Sequence, residues 1–238
     1  MATQHQHRVY GDFGITLDTG TQEIVPTFCE KILGGYISNN YKWNEHIMGN
    51  EKSIFRTLIS RINALRKIRQ IAPFKTRKMI ANGIVMSRLT YLIQVWGGCP
   101  KYLLDLLQTL QNKAARVVCN EGIYTPVQKL LENCGWMSMR QLVSYHRVLL
   151  MYNIRKEGKP KYFVEKFRGN NNQNYKTRFV EDAGVKKQRI LRNEDSRSSF
   201  VPSSIDVWNK LPVDFRKAEN VKAFKAKLKP WIKENIEI

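Results

Sequence analysis

Between Ile54 and Val118 apolar residues recur at intervals of three and four almost without a break, and this period decides the fold class. Ile54, Phe55, Leu58, Ile59, Ile62, Leu65 and Ile68 form one stripe, with Lys52, Arg56, Asn63 and Lys67 on the far side. That spacing belongs to an amphipathic helix; a strand, whose side chains alternate, cannot reproduce it. Pro73 ends the helix or restarts it, because proline brings no N–H. The next stretch, "KTRKMIANGIVMSRLTYLIQVW", is apolar on nearly every face, which predicts a helix buried among others. "GGCP" stops it. "LLDLLQTLQNKAARVV" then sets Leu103, Leu106, Leu107, Leu110, Ala114, Val117 and Val118 on one face, opposite Gln108, Asn112 and Arg116, in a helix from Lys101 to Cys119.

Further helices follow. "TPVQKLLENCG" opens with Thr125 as cap and Pro126 at the first helical position and closes at Gly135. Another runs from about Ser138 to Lys156, with Leu142, Tyr145, Leu149 and Tyr152 on one face. The last turns Val221, Phe224, Leu228, Trp231 and Ile232 inward among Lys222, Lys225, Lys227, Lys229 and Lys233, and Pro230 is expected to kink or end it. The first forty residues differ: "GITLD", "EIVPTF" and "KILGGYIS" read as short strands of a small antiparallel meander. Residues 168–198 are polar and aperiodic, as in a linker or a loosely held arm. The expected fold is mainly α, with a β meander over 1–40, a helical bundle over 41–167, the polar linker over 168–198 and a C-terminal segment with a basic amphipathic helix over 199–238.

The charge is one-sided. The 238 residues carry 40 Lys and Arg against 20 Asp and Glu, and positions 41–238 hold 38 of the former and 16 of the latter. No acidic residue lies between Glu51 and Asp105, an interval that contains Lys52, Arg56, Arg61, Arg66, Lys67, Arg69, Lys75, Arg77, Lys78, Arg88 and Lys101. A field of one sign over such a length implies a polyanionic partner, most commonly nucleic acid. The alternative is a basic surface that serves solubility.

Catalytic signals are missing from the sequence. Polymerases and nucleases cluster carboxylates around divalent metal, whereas the only paired acids past residue 40 are Glu181/Asp182 and Glu194/Asp195, both in the polar segment. Phosphate-loop and nucleophile-elbow motifs are absent, and no cofactor is called for. Cys29, Cys99, Cys119 and Cys134 lack zinc-site spacing and read as reduced thiols of an intracellular, nuclear or cytoplasmic protein, with no membrane partner. Trp43, Trp96, Trp136 and Trp208 adjoin apolar runs and read as core anchors, His46 and His146 as structural, and Tyr41 and Tyr175, in polar surroundings, as stacking candidates.

Six segments then appear in a familiar order: "EKILGGYISNNYKWNEHI" (30–47), "RINALRKIRQIAPFKTRKMI" (61–80), "SRLTYLIQVWGG" (87–98), "LQTLQNKAARVV" (107–118), "LENCGWMSMRQLVSYHRVLLMYNI" (131–154) and "SFVPSSIDVWNKLPVDFRKAENVKAFKAKLKPWI" (199–232). Together they resemble the C-terminal part of reverse transcriptases of non-LTR (LINE-type, jockey- and CR1-like) retrotransposons. The resemblance implies that residues 1–40 match the end of the palm and residues 41–167 the helical thumb, which grips template–primer duplex behind the active site. The aromatic-x-Asp-Asp turn that holds metal in that family lies upstream of the Leu33-Gly34 segment and has no counterpart in this sequence. Where the family usually has Asp after the Leu-Gly strand, Ser38 stands.

On that resemblance the chain is expected to be a non-catalytic binder of RNA or RNA–DNA hybrid. Arg56, Arg61, Lys67 and Arg69, with Lys75, Arg77 and Lys78 beyond Pro73, would bind phosphates without reading sequence, and Asn112, Lys113 and Arg116 would line the rim of the thumb helix, unless that face merely meets water. The alternatives are a thumb serving a reverse-transcriptase palm partner encoded upstream, or a helical protein-interaction domain or relic.

Overall fold

The computed structural model describes residues 15–16, 23–24, 27–49, 51–168, 184–185 and 197–236. Most of the expected linker over 168–198, including Tyr175, lies outside the described residues. The chain divides into two compact units, Met1–Arg61 and Ile62–Ile238. It is mainly helical, with a small antiparallel β region at the N-terminal end.

In the first unit β1 (Ile15–Thr16) pairs with β2 (Glu23–Ile24), and β3 (Cys29–Ile32) pairs with β4 (Gly35–Ser38), as separate antiparallel ladders. The small antiparallel β region is thus present among the described residues as two two-stranded ladders, and "KILGGYIS" is not one strand but a strand, a turn and a strand. Leu33 (φ 48°) and Gly34 (φ 82°) form the two-residue turn, and consecutive positive φ values give the loop twist that suits paired strands. Ser38, buried at the end of β4, donates to the Lys42 carbonyl at 2.9 Å. His46 sits in a π-helical turn (Glu45–Gly49), where its Nδ1 accepts from the Tyr36 N–H at 3.3 Å and its ring lies between Tyr36 and Trp43. The division between units falls within α1 (Ile54–Lys67).

The second unit contains the apolar run expected as one helix. It forms α2 (Phe74–Ala81), a π-helical turn (Asn82–Met86), α3 (Ser87–Thr90) and, after a break, α4 (Ile93–Trp96). The break is Leu92, held at φ 54°, and the buried Trp96 indole closes it by donating to the Tyr91 carbonyl at 2.8 Å. Gly97 follows because an added Cβ would stand 2.4 Å from the Ile93 carbonyl oxygen. α5 (Lys101–Cys119) has the expected limits and ends on Asn120 in the left-handed region, one of the few residue types that adopts it readily.

α6 (Val127–Cys134) is capped by Pro126, not Thr125, whose hydroxyl donates to Glu121 instead. α7 (Met139–Glu157) lies at the centre, packing on α4, α5, α8 (Lys161–Arg168), α9 (Phe200–Lys210) and α11 (Val221–Asn235), with the short α10 (Val213–Arg216) against α11. Its burial covers more than one stripe, since Met139, Val143, Val148, Met151 and Ile154 are buried beside Leu142 and Tyr152, while Tyr145 and Leu149 are half-buried. A Ser138–Gln141 capping box starts α7, and the same Gln141 Nε2 donates to the carbonyls of Lys233 (3.3 Å) and Ile236 (2.8 Å) at the end of α11. Tyr152 stacks on Phe224 at 4.1 Å and donates to the Ala218 carbonyl. Phe224, Leu228 and Ile232 are buried, each worth about 1.5–3 kcal/mol. That burial carries α11 through Pro230, which faces solvent, so the helix does not end there. Trp96, Trp136 and Trp208 are core residues. Among the described residues no helix is long and apolar enough to cross a membrane.

Candidate nucleic-acid interface

Of the ten residues that the sequence assigned to nucleic acid, Arg77 is the clearest correction. It is only 8% exposed. Its Nε donates to the Val118 carbonyl at 2.9 Å, and its Nη1 to the carbonyls of Arg69 (3.0 Å) and Ala72. The guanidinium therefore ties the turn before α2 to the last turn of α5, whose carbonyls lack helical partners and carry the negative end of the helix dipole. A guanidinium used in this way has no face for a phosphate.

Arg69 and Arg116 do related work on the loop after α5. Arg69 Nε donates to Asn120 Oδ1 at 2.5 Å and its Nη2 to the Glu121 carbonyl at 3.3 Å, while Arg116 Nη2 reaches the Ile123 carbonyl at 3.5 Å. Between these anchors the loop turns Ile123 and Tyr124 outward, Tyr124 being 93% exposed. Sequence reading missed Tyr124; its sign was an aromatic side chain between a Gly-containing turn and the Thr-Pro helix start, two positions with no core to fill. Tyr41, in the first unit, is also exposed.

The amide face of α5 meets protein. Gln108 Oε1 accepts from the Met139 N–H at 2.7 Å, capping α7 from outside, and Gln108 Nε2 donates to Asn112 Oδ1 at 2.7 Å and to Gln111 Oε1 at 3.0 Å. Gln111, fully buried, donates to the Met137 carbonyl. Asn112 is thus half-buried and committed to a relay of side-chain amides. Lys78 is also half-buried; its Nζ lies 6.0 Å from the Phe74 ring centroid and faces Gly135, at the carbonyl end of α6.

The other five of the ten differ in exposure. In the second unit Lys67, Lys75 and Lys113 are exposed and have no ion-pair partner among the described residues. Arg56 is exposed in the first unit, where Arg61 is half-buried. A further row was not assigned to nucleic acid from sequence: Lys222, Lys225, Lys229 and Lys233 of α11 are all exposed, and their spacing of three and four places them on one face. Lys227 stands apart, 5.7 Å from the Phe215 ring. No protein-family profile, no curated protein and no solved structure matches the chain, so the resemblance to the non-LTR enzymes rests on its six segments alone.

Proposed function

We propose that the chain is a non-catalytic module that holds RNA or an RNA–DNA hybrid by its phosphate backbone, the role implied by the resemblance to the reverse-transcriptase thumb. One observation carries this reading: over the interval from Lys52 to Leu104 the chain has no carboxylate, and the exposed Lys67 and Lys75 within it have no ion-pair partner among the described residues. Unpaired surface cations of one sign repel each other and gain most from a ligand that brings several anions at fixed spacing. Tyr124, displayed on the loop that follows α5, adds a surface on which a base can stack. Ammonium groups at the surface read charge and not sequence.

The test is binding of a labelled RNA and of the matching RNA–DNA hybrid at several salt concentrations. Affinity is expected to fall with a logarithmic slope of roughly −0.7 to −0.9 per phosphate neutralised. Replacing Lys67, Lys75 and Lys113 together by Gln should flatten the slope and weaken all sequences alike. A triple variant that binds as the parent does across the salt series removes the proposal.

A further inference from the structure

A cavity of about 470 Å³ opens beside the N-terminus of α5, within the second unit, lined among others by Cys99, Lys101, Leu104, Arg140, Arg147 and Ser203. Its lining joins the end of the acid-free interval to α7 and to Ser198 and Ser203, and it includes none of the three lysines on which the reading above rests. Among the described residues three cationic side chains line it and no carboxylate does.

Arg147 is the central group. It is 3% exposed and fixed on one side: Nε donates to the Gln94 carbonyl at 3.3 Å, and Nη1 to the Ser198 carbonyl at 2.8 Å and Ser203 Oγ at 2.5 Å. Its Nη2 has no hydrogen-bond partner among the described residues. Burial pulls the guanidinium down to about 10, which leaves it charged at neutral pH. The neighbouring Cys99 offers no counter-charge, because its own burial pushes the thiol up to about 12. A buried cation with one donor unused and no anion beside it among the described residues is costly unless a bound anion offsets it.

The surroundings favour the same ligand. α5 is 19 residues long, begins at the cavity, is capped by Pro100 with no side-chain acceptor, and has no acidic residue in its first turn. Its positive end is therefore uncompensated from within, the condition under which helix N-termini take phosphate. Arg140 stands in the lining in an open pair with Asp105 at 3.3 Å. The volume exceeds that of a bare phosphate and falls in the range of small-molecule sites, about 300–1,000 Å³. Pro100 and Leu104 supply apolar wall.

We propose that this cavity binds the phosphate of a small phosphate ester, with the Arg147 guanidinium supplying positive charge at its inner wall, Lys101 and Arg140 donating from its rim, and the organic part of the ester against Pro100 and Leu104. The ester is either a free mononucleotide or the terminal phosphate of an oligonucleotide, the two sources of that chemistry which a basic chain of this kind meets.

Calorimetric titration of the full chain at fixed ionic strength with inorganic phosphate, adenosine 5′-monophosphate and adenosine tests this. The monophosphate is expected to bind, inorganic phosphate more weakly by roughly tenfold for want of the apolar contact, and adenosine not at all. The double variant Lys101→Gln/Arg140→Gln, whose side chains lie outside the core, should retain its thermal midpoint without ligand and weaken monophosphate binding by about tenfold or more. Arg147→Gln, which removes the charge at the inner wall, should abolish it; if that variant fails to fold, the double variant decides. A 5′-phosphorylated oligonucleotide that displaces the monophosphate, where its 5′-hydroxyl counterpart does not, assigns the site to a chain end; displacement by neither assigns it to the free mononucleotide. Absence of binding at millimolar monophosphate, or equal binding by adenosine or by the double variant, overturns the proposal.

Discussion

The side-chain amide of Asn209 bonds the backbone of Val185 in both directions, Nδ2 donating to its carbonyl at 2.8 Å and Oδ1 accepting from its N–H at 3.0 Å. Val185 is 1% exposed, so the amide does for one buried residue what a neighbouring strand does for many. Asn209→Ala leaves both groups unpaired, and Asn209→Asp sets an oxygen against the carbonyl. Either change should cost about 1–3 kcal/mol in urea unfolding. Lys210→Ala, the exposed neighbour, should stay within about 0.5 kcal/mol. Equal midpoints for all three would mean that water replaces the amide without loss.

Arg77 and Lys75 should behave as opposites although both were expected to bind phosphate. Arg77→Gln removes the donor from three carbonyls and should destabilise by about 2–3 kcal/mol. Lys75→Gln should leave stability within about 0.5 kcal/mol and weaken RNA binding. Denaturant midpoints and binding isotherms on the two variants check this. The reverse ranking would place Arg77 at the surface.

His146 introduces a pH dependence of known sign. Burial, and secondly the charge of Lys225, lower its pKa below the ordinary value of 6.5. The unfolded chain then binds the proton more readily than the folded one, so this residue's contribution is complete above pH 6.5 and is lost as pH falls below it. Stability of the parent should fall more than that of His146→Gln between pH 7.5 and pH 5.5, and Lys225→Gln should shrink the difference. Parallel profiles for parent and His146→Gln would refute it.

Tyr124 should matter to binding and not to folding. A side chain so exposed has no packing to lose, while stacking on a base is worth about 1–3 kcal/mol. Tyr124→Ser should weaken RNA binding with an unchanged thermal midpoint. If affinity does not move, the loop is not a stacking platform.

The helices were legible because their signals are local. The limits of α5 follow from its leucine stripe and from "GGCP" before it, and the α7 start from Ser138 with Gln141 three residues on. The hairpin at Leu33-Gly34 was hidden because leucine seldom occupies a left-handed turn position. Arg77 was misread for a different reason: its main acceptor, Val118, is 41 positions away, and nothing in the "KTRK" run tells a guanidinium that will be buried from an ammonium that will not. The relay through Gln108, Gln111 and Asn112 is likewise long-range, since its ends are the backbones of Met137 and Met139. The cavity around Arg147 assembles residues more than a hundred positions apart, from Gly97 to Ser203. Charge composition marks the chain as cationic; which cations are spent on carbonyls is decided by packing.

Gln141 holds the N-cap N–H of one helix and the last carbonyls of another with a single amide. Opening either end therefore strands groups at the other, and the two ends, about ninety positions apart in the chain, cannot fray independently. In native-state hydrogen exchange the first-turn amides of α7 and the final-turn amides of α11 should exchange at a common rate, as one cooperative unit, and Gln141→Ala should uncouple them into two.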